Sequence, residues 1–486
     1  MNVSLRSTGL AFVWLGLAFF ILAASAAIAL VGPLAGIAGV GLGGALLFFL
    51  ILQFRTESNR NWFLWVIFIL PLAVGFVRKV TGISLFGVWQ MGVLALAMFG
   101  LAKFWHDIRR EALLRGAMVA FVVFLAIGSL STFFGRSQQY AAAYQIFSDL
   151  KPVVALALGY AFAWNSQVEK LLWFMVRWFW LPCLAMVAFE WVAPGIYFKI
   201  FASGQALNAS VDPLGLLPSR AVGMFEHPSF LANTGATFGL LALGRSLMAD
   251  EEHPPCWLAV CMNFLLIVCG VQRQEMVGFL VSGAMIFVLV KPKQMFARVV
   301  IGGALGLIAS VIFLSVFQEN LQKEAGQWGY GTVGALQQPR AQIFDGALVT
   351  AKTYYPLGSG FGTYGGAGAE KFDHSLYDRL GFNRYFWYGK QNYLMDTYWP
   401  NSLAETGFFG AFTLLLSYVL LWLYAIKRSV KELAPKARAY WLSTMAMMAY
   451  MIMLSFSSPA FQDIRLFSLS AMLFGIASTV SKEKQS

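Results

Sequence analysis

Charge is scarce in this chain. Asp, Glu, Lys and Arg together supply 12% of the residues and apolar types supply 59%, a balance on which no ordinary soluble domain is built. Cysteine is scarcer still. Cys183, Cys256, Cys261 and Cys269 lie in or beside apolar runs without C-x-x-C spacing, which argues against a disulfide framework and a zinc site and leaves packing as their role. No D-x-D occurs anywhere, and the run Asp250-Glu251-Glu252 reads as a solvated turn. The first apolar run lacks a small-residue cleavage site followed by soluble sequence, so it is expected to be a retained first helix and not a signal peptide.

Long apolar runs are abundant instead. Stretches of about 18–22 apolar residues, each able to cross a hydrocarbon core as a helix, recur along the chain. Fourteen spans are expected, centred on 9–30, 33–53, 61–77, 83–102, 116–133, 151–166, 171–192, 228–248, 257–271, 276–290, 299–317, 401–426, 440–457 and 464–480. The predicted fold is therefore all-α, a polytopic transmembrane helix bundle with one large external loop containing short helices. It divides into an N-terminal bundle (1–317), the loop (318–400) and three C-terminal spans (401–486).

Basic residues orient the bundle. With the N-terminus in the cytosol, Arg55, Arg60, Lys103, Arg109, Arg110, Arg115, Lys291, Lys293, Arg298, Lys427, Arg428, Lys431, Lys436 and Arg438 fall in short cytosolic connections. Segments 194–227 and 318–400 then lie outside, and both termini inside. The formal net charge of +12 is mostly this topogenic charge, so nucleic acid is not an expected partner.

Residues 318–400 are the polar exception. This segment is rich in glycine and aromatics, with seven Lys/Arg balanced by seven Asp/Glu. At this length an interruption of a membrane domain usually builds a site. Trp328, Tyr354, Tyr364, Tyr385, Trp387, Tyr388 and Trp399 offer flat apolar faces of the kind that bind sugar rings, or that line a lipid interface. Within it, Arg340 begins a run with Ile343, Phe344, Ala347, Leu348 and Ala351 on one helical face, ending before Pro356.

The unusual charges gather on the external side. Arg220 opens Arg220-Ala-Val-Gly-Met-Phe-Glu-His227, Arg273 lies in Gln272-Arg-Gln-Glu275, and Asp396 precedes Tyr398-Trp-Pro-Asn401. A lone external arginine is as well explained by snorkelling to headgroups. Three beside spans run against the positive-inside preference, and their planar forks match phosphate oxygens, which points to an anionic ligand such as a lipid diphosphate. His227, at an external helix start, is a candidate base or a cap. Glu405 reads as a first-turn partner of the helix dipole.

The order R-x-x-G…P, then Q-R near a span end, then R…P-L-G-S-G-F-G, then N-S-L-A-E-T-G-F-F-G resembles the O-antigen polymerase and O-antigen ligase family over roughly residues 215–425. The resemblance implies an integral-membrane glycosyltransferase of the bacterial inner membrane, its active site facing the periplasm, using glycans carried on undecaprenyl diphosphate and needing no metal or cofactor. By the same resemblance Arg220, Arg273 and Arg340 bind the diphosphate. The ligases usually place a His before the Asn of the last motif. Here Trp399 and Pro400 precede Asn401, and Asp396 is the nearest ionisable group, which favours a polymerase and makes Asp396 the expected base with His227 as alternate. A chain-length regulator and a flippase are candidate partners. A ligase acting on lipid A core or protein is the alternative enzyme. A transporter of lipid-linked sugars is the alternative of another class, for which Arg177 and Glu190, in or at the end of the seventh span, are the main pointers.

Overall fold

The computed structural model describes residues 44–67, 86–162, 166–201, 217–250, 254–290, 294, 339–389 and 393–483. The expected spans at 9–30 and 299–317, residues 318–338 of the polar segment, and Glu251 and Glu252 lie outside these residues.

Among the described residues every regular element is helical. After helical stretches at 44–53 and 57–67 come α1 (Phe86–Arg110), α2 (Ala112–Phe134), α3 (Gln139–Ala161), α4 (Ser166–Trp178), α5 (Trp180–Val192) and α6 (Pro194–Ile200). They are followed by α7 (Pro228–Leu247), α8 (Trp257–Cys269), α9 (Arg273–Leu289), α10 (Pro339–Thr353), α11 (Ala367–Phe372) and α12 (Ser375–Arg379). The chain closes with α13 (Trp399–Lys431), α14 (Pro435–Leu454) and α15 (Ile464–Glu483). Proline starts several of them, at Pro194, Pro228, Pro400 and Pro435, where the missing N–H and the fixed φ fit the first turn. The expected seventh span is one helical stretch, Gln167–Val192, with a single irregular residue, Phe179, between α4 and α5, where Pro182 has no N–H for the Trp178 carbonyl.

Among the described residues five helical stretches are long and apolar enough to cross a membrane: Trp89–Arg110, Ala112–Phe134, Gln167–Val192, Trp399–Lys431 and Ile464–Ser481. α2 turns Val119, Val122 and Phe133 outward, α9 turns out Val277 and Leu280, and α13 turns out Phe409 and Phe412. Apolar faces this extensive need lipid against them. The chain is a multi-pass helical membrane protein.

α14 forms the centre, buried along most of its length and packed on α7, α9, α13 and α15. α3 joins α1 to α15 at close range, because Gly100 and Gly159 leave no room for even a Cβ against the Ala157 and Met472 carbonyls.

Ion pairs identify one end of the bundle. Glu111 bridges to Lys427 and Arg428 at 3.3 and 3.2 Å, Lys436 pairs with Glu169 at 2.6 Å, and Arg438 donates to the Leu289 carbonyl at 3.0 Å. Ser478 near the end of α15 bonds Asp107 near the end of α1, and Ser443 donates to the Leu240 carbonyl of α7. Chain direction then carries the starts of α7, α9, α13 and α15 to the opposite end. Those starts hold the candidate residues.

Candidate functional site

The described part of the polar segment, 339–389 and 393–400, folds as a small cap on that opposite end. Ile343, Ala347, Tyr364, Tyr377, Phe382, Trp387 and Ala404 form its own apolar core, with α10 packed on α13 and α11 on α3. The expected amphipathic face of Arg340's run is present, with Ile343, Ala347 and Ala351 buried, rotated so that Gln342, Gly346 and Thr350 join it. Tyr364 and Trp387 are fully buried, stacked on Tyr377 and Tyr385 respectively, and Trp387 donates to Gln342 Oε1 at 3.0 Å. They hold the cap together and present no open face to a sugar.

The two glycine- and asparagine-containing motifs recognise each other. Gly358, Gly360, Gly362 and Gly365 all take positive φ, which lets the Pro356–Gly366 backbone coil tightly against α3 and α13. Ser359 and Gly360 donate to the Ala404 and Glu405 carbonyls, each at 2.9 Å. The Glu405 carboxylate accepts the Tyr364 N–H at 3.1 Å, and Asn401 Nδ2 donates to the Tyr364 carbonyl at 2.9 Å. Gln145 bonds Asp149 and Asn401, and Gln462 donates to Asp149 at 2.9 Å, which ties α3 and the last interhelical turn into the same network. Asn401 and Glu405 therefore seat the loop. Glu405, expected as a dipole partner, is a loop anchor.

Charge collects beside this seat. Arg340 Nε lies 3.5 Å from Asp396 Oδ2, an ion pair at the cap's edge that joins α10 to the turn before α13. Burial pushes the Asp396 carboxyl above its usual range, and the Arg340 guanidinium pulls it part of the way back. Glu370 of α11 is close enough to Asp396 for the two carboxyls to repel, and burial together with that repulsion raises Glu370 as well. The fields of Arg220 and Arg340 both act on the fully buried Glu275 carboxyl, whose oxygens have no bonding partner beyond contact with its own backbone N–H. Arg273 is the first residue of α9, two positions before Glu275. Arg220, Arg340, Asp396 and Glu275 are thus brought into one electrostatic neighbourhood by four separated segments.

His227 has a defined local task. It is the N-cap of α7, its Nδ1 accepting the Ser229 N–H at 3.2 Å and contacting the Ser229 hydroxyl at 2.7 Å. Burial and the nearby charges of Arg220 and Arg465 drive its pKa down to about 4, so the ring is neutral near pH 7. With Nδ1 used as acceptor, Nε2 carries the proton and is a donor. His374 bonds the Glu370 carbonyl at 2.8 Å on the cap surface.

Three charged residues of this neighbourhood carry no role in the sequence reading. Arg465 is gripped by Asp463 at 3.0 and 2.7 Å, meets Glu226 at 3.5 Å and lies over the Phe230 ring at 4.3 Å. Although burial pushes the Asp463 carboxyl up, the Arg465 guanidinium holds it below the usual range. The argument that selects Arg220 and Arg273, an external arginine beside a span, applies equally to Arg465. Glu275 stands inside the quoted Gln272-Arg-Gln-Glu stretch, whereas Glu370 has no local signal. Behind Arg465 a cavity of about 50 Å³ opens between Phe179, Phe225, Phe230, Asn233 and Thr237.

No family model matches the chain, and no curated protein matches it.

Proposed function

We propose that this protein is a membrane glycosyltransferase that joins oligosaccharide repeat units carried on undecaprenyl diphosphate into a surface or secreted polysaccharide, at the external face of the bacterial inner membrane. The observation that carries the reading is the gathering of Arg220, Arg340, Asp396 and Glu275 at one end of an apolar bundle, under a folded polar cap, with Arg273 at the start of α9. In this reading fourteen spans leave both termini cytosolic and residues 318–400 external.

The chemistry follows from the side chains. An acceptor hydroxyl attacks the anomeric carbon of the donor sugar, and the bond from that carbon to the diphosphate oxygen breaks. Asp396, ionised, takes the hydroxyl proton. Arg220, Arg273 and Arg340 stabilise the charge that develops on the leaving diphosphate. The pair of Arg340 with Asp396 links the two tasks, since an arriving diphosphate competes for the guanidinium and releases the carboxylate.

A ligase shares the donor half of this chemistry and differs in its acceptor. Of the transporter reading's pointers, Glu190 Oε2 accepts two backbone N–H groups while Oε1 is buried without a partner, and Arg177 Nε reaches Cys256 Sγ at 3.4 Å. The test is direct. Purified protein in lipid nanodiscs, supplied with a lipid-linked repeat unit alone, is expected to produce a ladder of longer lipid-linked glycans. Transfer seen only after lipid A core or a protein acceptor is added would make it a ligase, and no glycan transfer under either condition would reject the enzyme reading.

A further inference from the structure

Glu190 is an acid within an otherwise apolar helix, α5, and is 1% exposed. A carboxylate there is costly unless its oxygens are bonded. Its Oε2 accepts the consecutive N–H groups of Val222 at 2.9 Å and Gly223 at 2.8 Å, while Oε1 is buried with no hydrogen-bond partner, so the two amides carry the compensation. Two adjacent amides can converge on one oxygen only where the backbone coils into a nest, and Gly223 supplies the left-handed residue at φ 61°. The same short loop is held from three further directions. The Tyr197 hydroxyl of α6 donates to the Gly223 carbonyl, Trp191 Nε1 donates to the Ser219 carbonyl at 3.3 Å, and the Ala221 N–H donates to the Cys269 carbonyl at 2.9 Å. Ala221 and Val222 are themselves fully buried.

Every one of these bonds lands within three residues of Arg220. None of them touches its guanidinium. They fix the backbone of Arg220, whose charge acts on Glu275 and His227. The density of restraint is far above what a connection between two membrane helices requires, and it is centred on the one arginine of the loop.

We propose that Glu190, with Tyr197, is a positioning residue that sets Arg220 for the lipid diphosphate. This rests on the diphosphate reading of Arg220. The carboxylate acts through the loop backbone and never meets the ligand, so its removal loosens Arg220 without changing the charge that Arg220 presents.

A double-mutant cycle tests this, because residues acting through one another do not add. Sugar-free undecaprenyl diphosphate is titrated into the full-length protein in nanodiscs, for the wild type, Glu190→Ala, Arg220→Ala and the double variant. Glu190→Ala and Arg220→Ala are each expected to weaken binding by about tenfold, the scale of one charge-assisted hydrogen bond. The double variant is expected to bind no more weakly than Arg220→Ala. Glu190→Gln keeps an acceptor oxygen for the two amides and is expected to restore affinity to within about threefold of the wild type. Wild-type affinity in Glu190→Ala, or losses that multiply in the double variant, would overturn the positioning role and leave Arg220 as a ligand group. Wild-type affinity in Arg220→Ala would instead remove the diphosphate role of Arg220, and the positioning role with it. If Glu190→Ala does not purify as folded protein, Tyr197→Phe, which keeps the ring and deletes the bond to Gly223, takes its place in the cycle. It is held to the same non-additivity, and wild-type affinity in Tyr197→Phe would then overturn the proposal.

Discussion

Asp396 and Arg340 carry most of the chemistry in the proposed reaction, and their pairing makes it testable by pH. A general base works only when ionised, so the rate falls as pH drops through its pKa. Burial raises that pKa and the Arg340 charge opposes the rise. Removing the charge in Arg340→Gln should therefore carry the acid limb of the kcat/KM profile to higher pH, whereas a distant variant leaves it in place. An unmoved limb would mean that Asp396 is not the titrating base. Asp396→Asn keeps shape and most hydrogen bonds and should cost about 10²–10⁴-fold in turnover, the usual worth of a general base. A loss of only about twofold would assign Asp396 to the cap's packing. The sequence made Asp396 visible only as the nearest ionisable replacement for the expected His upstream of Asn401. Its actual partner, Arg340, is 56 positions away in the chain and invisible to local pattern.

At the level of elements, the loop after α10 and the first turns of α13 behave as one unit. Gly362 (φ 75°) has its α-carbon so near the Ala141 carbonyl that a side chain fits neither the conformation nor the space. Gly362→Ala should lower stability by about 1–3 kcal/mol, read as a fall in the thermal midpoint of the detergent-solubilised protein. An unchanged midpoint would show that the loop does not need its seat on α3. The glycine spacing was legible in the sequence as a turn-rich stretch. What it turned around was not, because the contacts run to Thr132, Gln145, Asn401 and Glu405, drawn from three different helices. For the same reason the aromatic residues looked available. Tyr364 and Trp387 have flat apolar faces in any setting, and only the packing of the cap around Phe382 reveals that those faces are spent on one another.

For the whole molecule, the expected arrangement is a bundle with its basic ion-paired end in the cytosol and its arginine-bearing end outside. Single cysteines at Lys431 and at Ser375, exposed on the cap, in a background with the four native cysteines replaced, test it by labelling with a membrane-impermeant thiol reagent. Ser375 should be protected or labelled in the opposite sense to Lys431 when the reagent is moved from one side of the membrane to the other. Labelling of both from the same side would reject this orientation. The basic residues anticipate this arrangement from sequence because each acts singly, at its own helix end, through its preference for one side of the membrane.

Composition and apolar run length by themselves determined that this is a helical membrane protein, since hydrocarbon demands internally bonded helices whatever their neighbours are. They also determined where the chain turns from apolar to polar. Tertiary structure alone decided that Glu190 clamps the Arg220 loop, that Glu405 anchors the cap, and that Arg340 meets Asp396. Each of those roles depends on which two distant segments share a hydrogen-bond distance of about 3 Å, and that is a property of helix packing which no local spacing encodes.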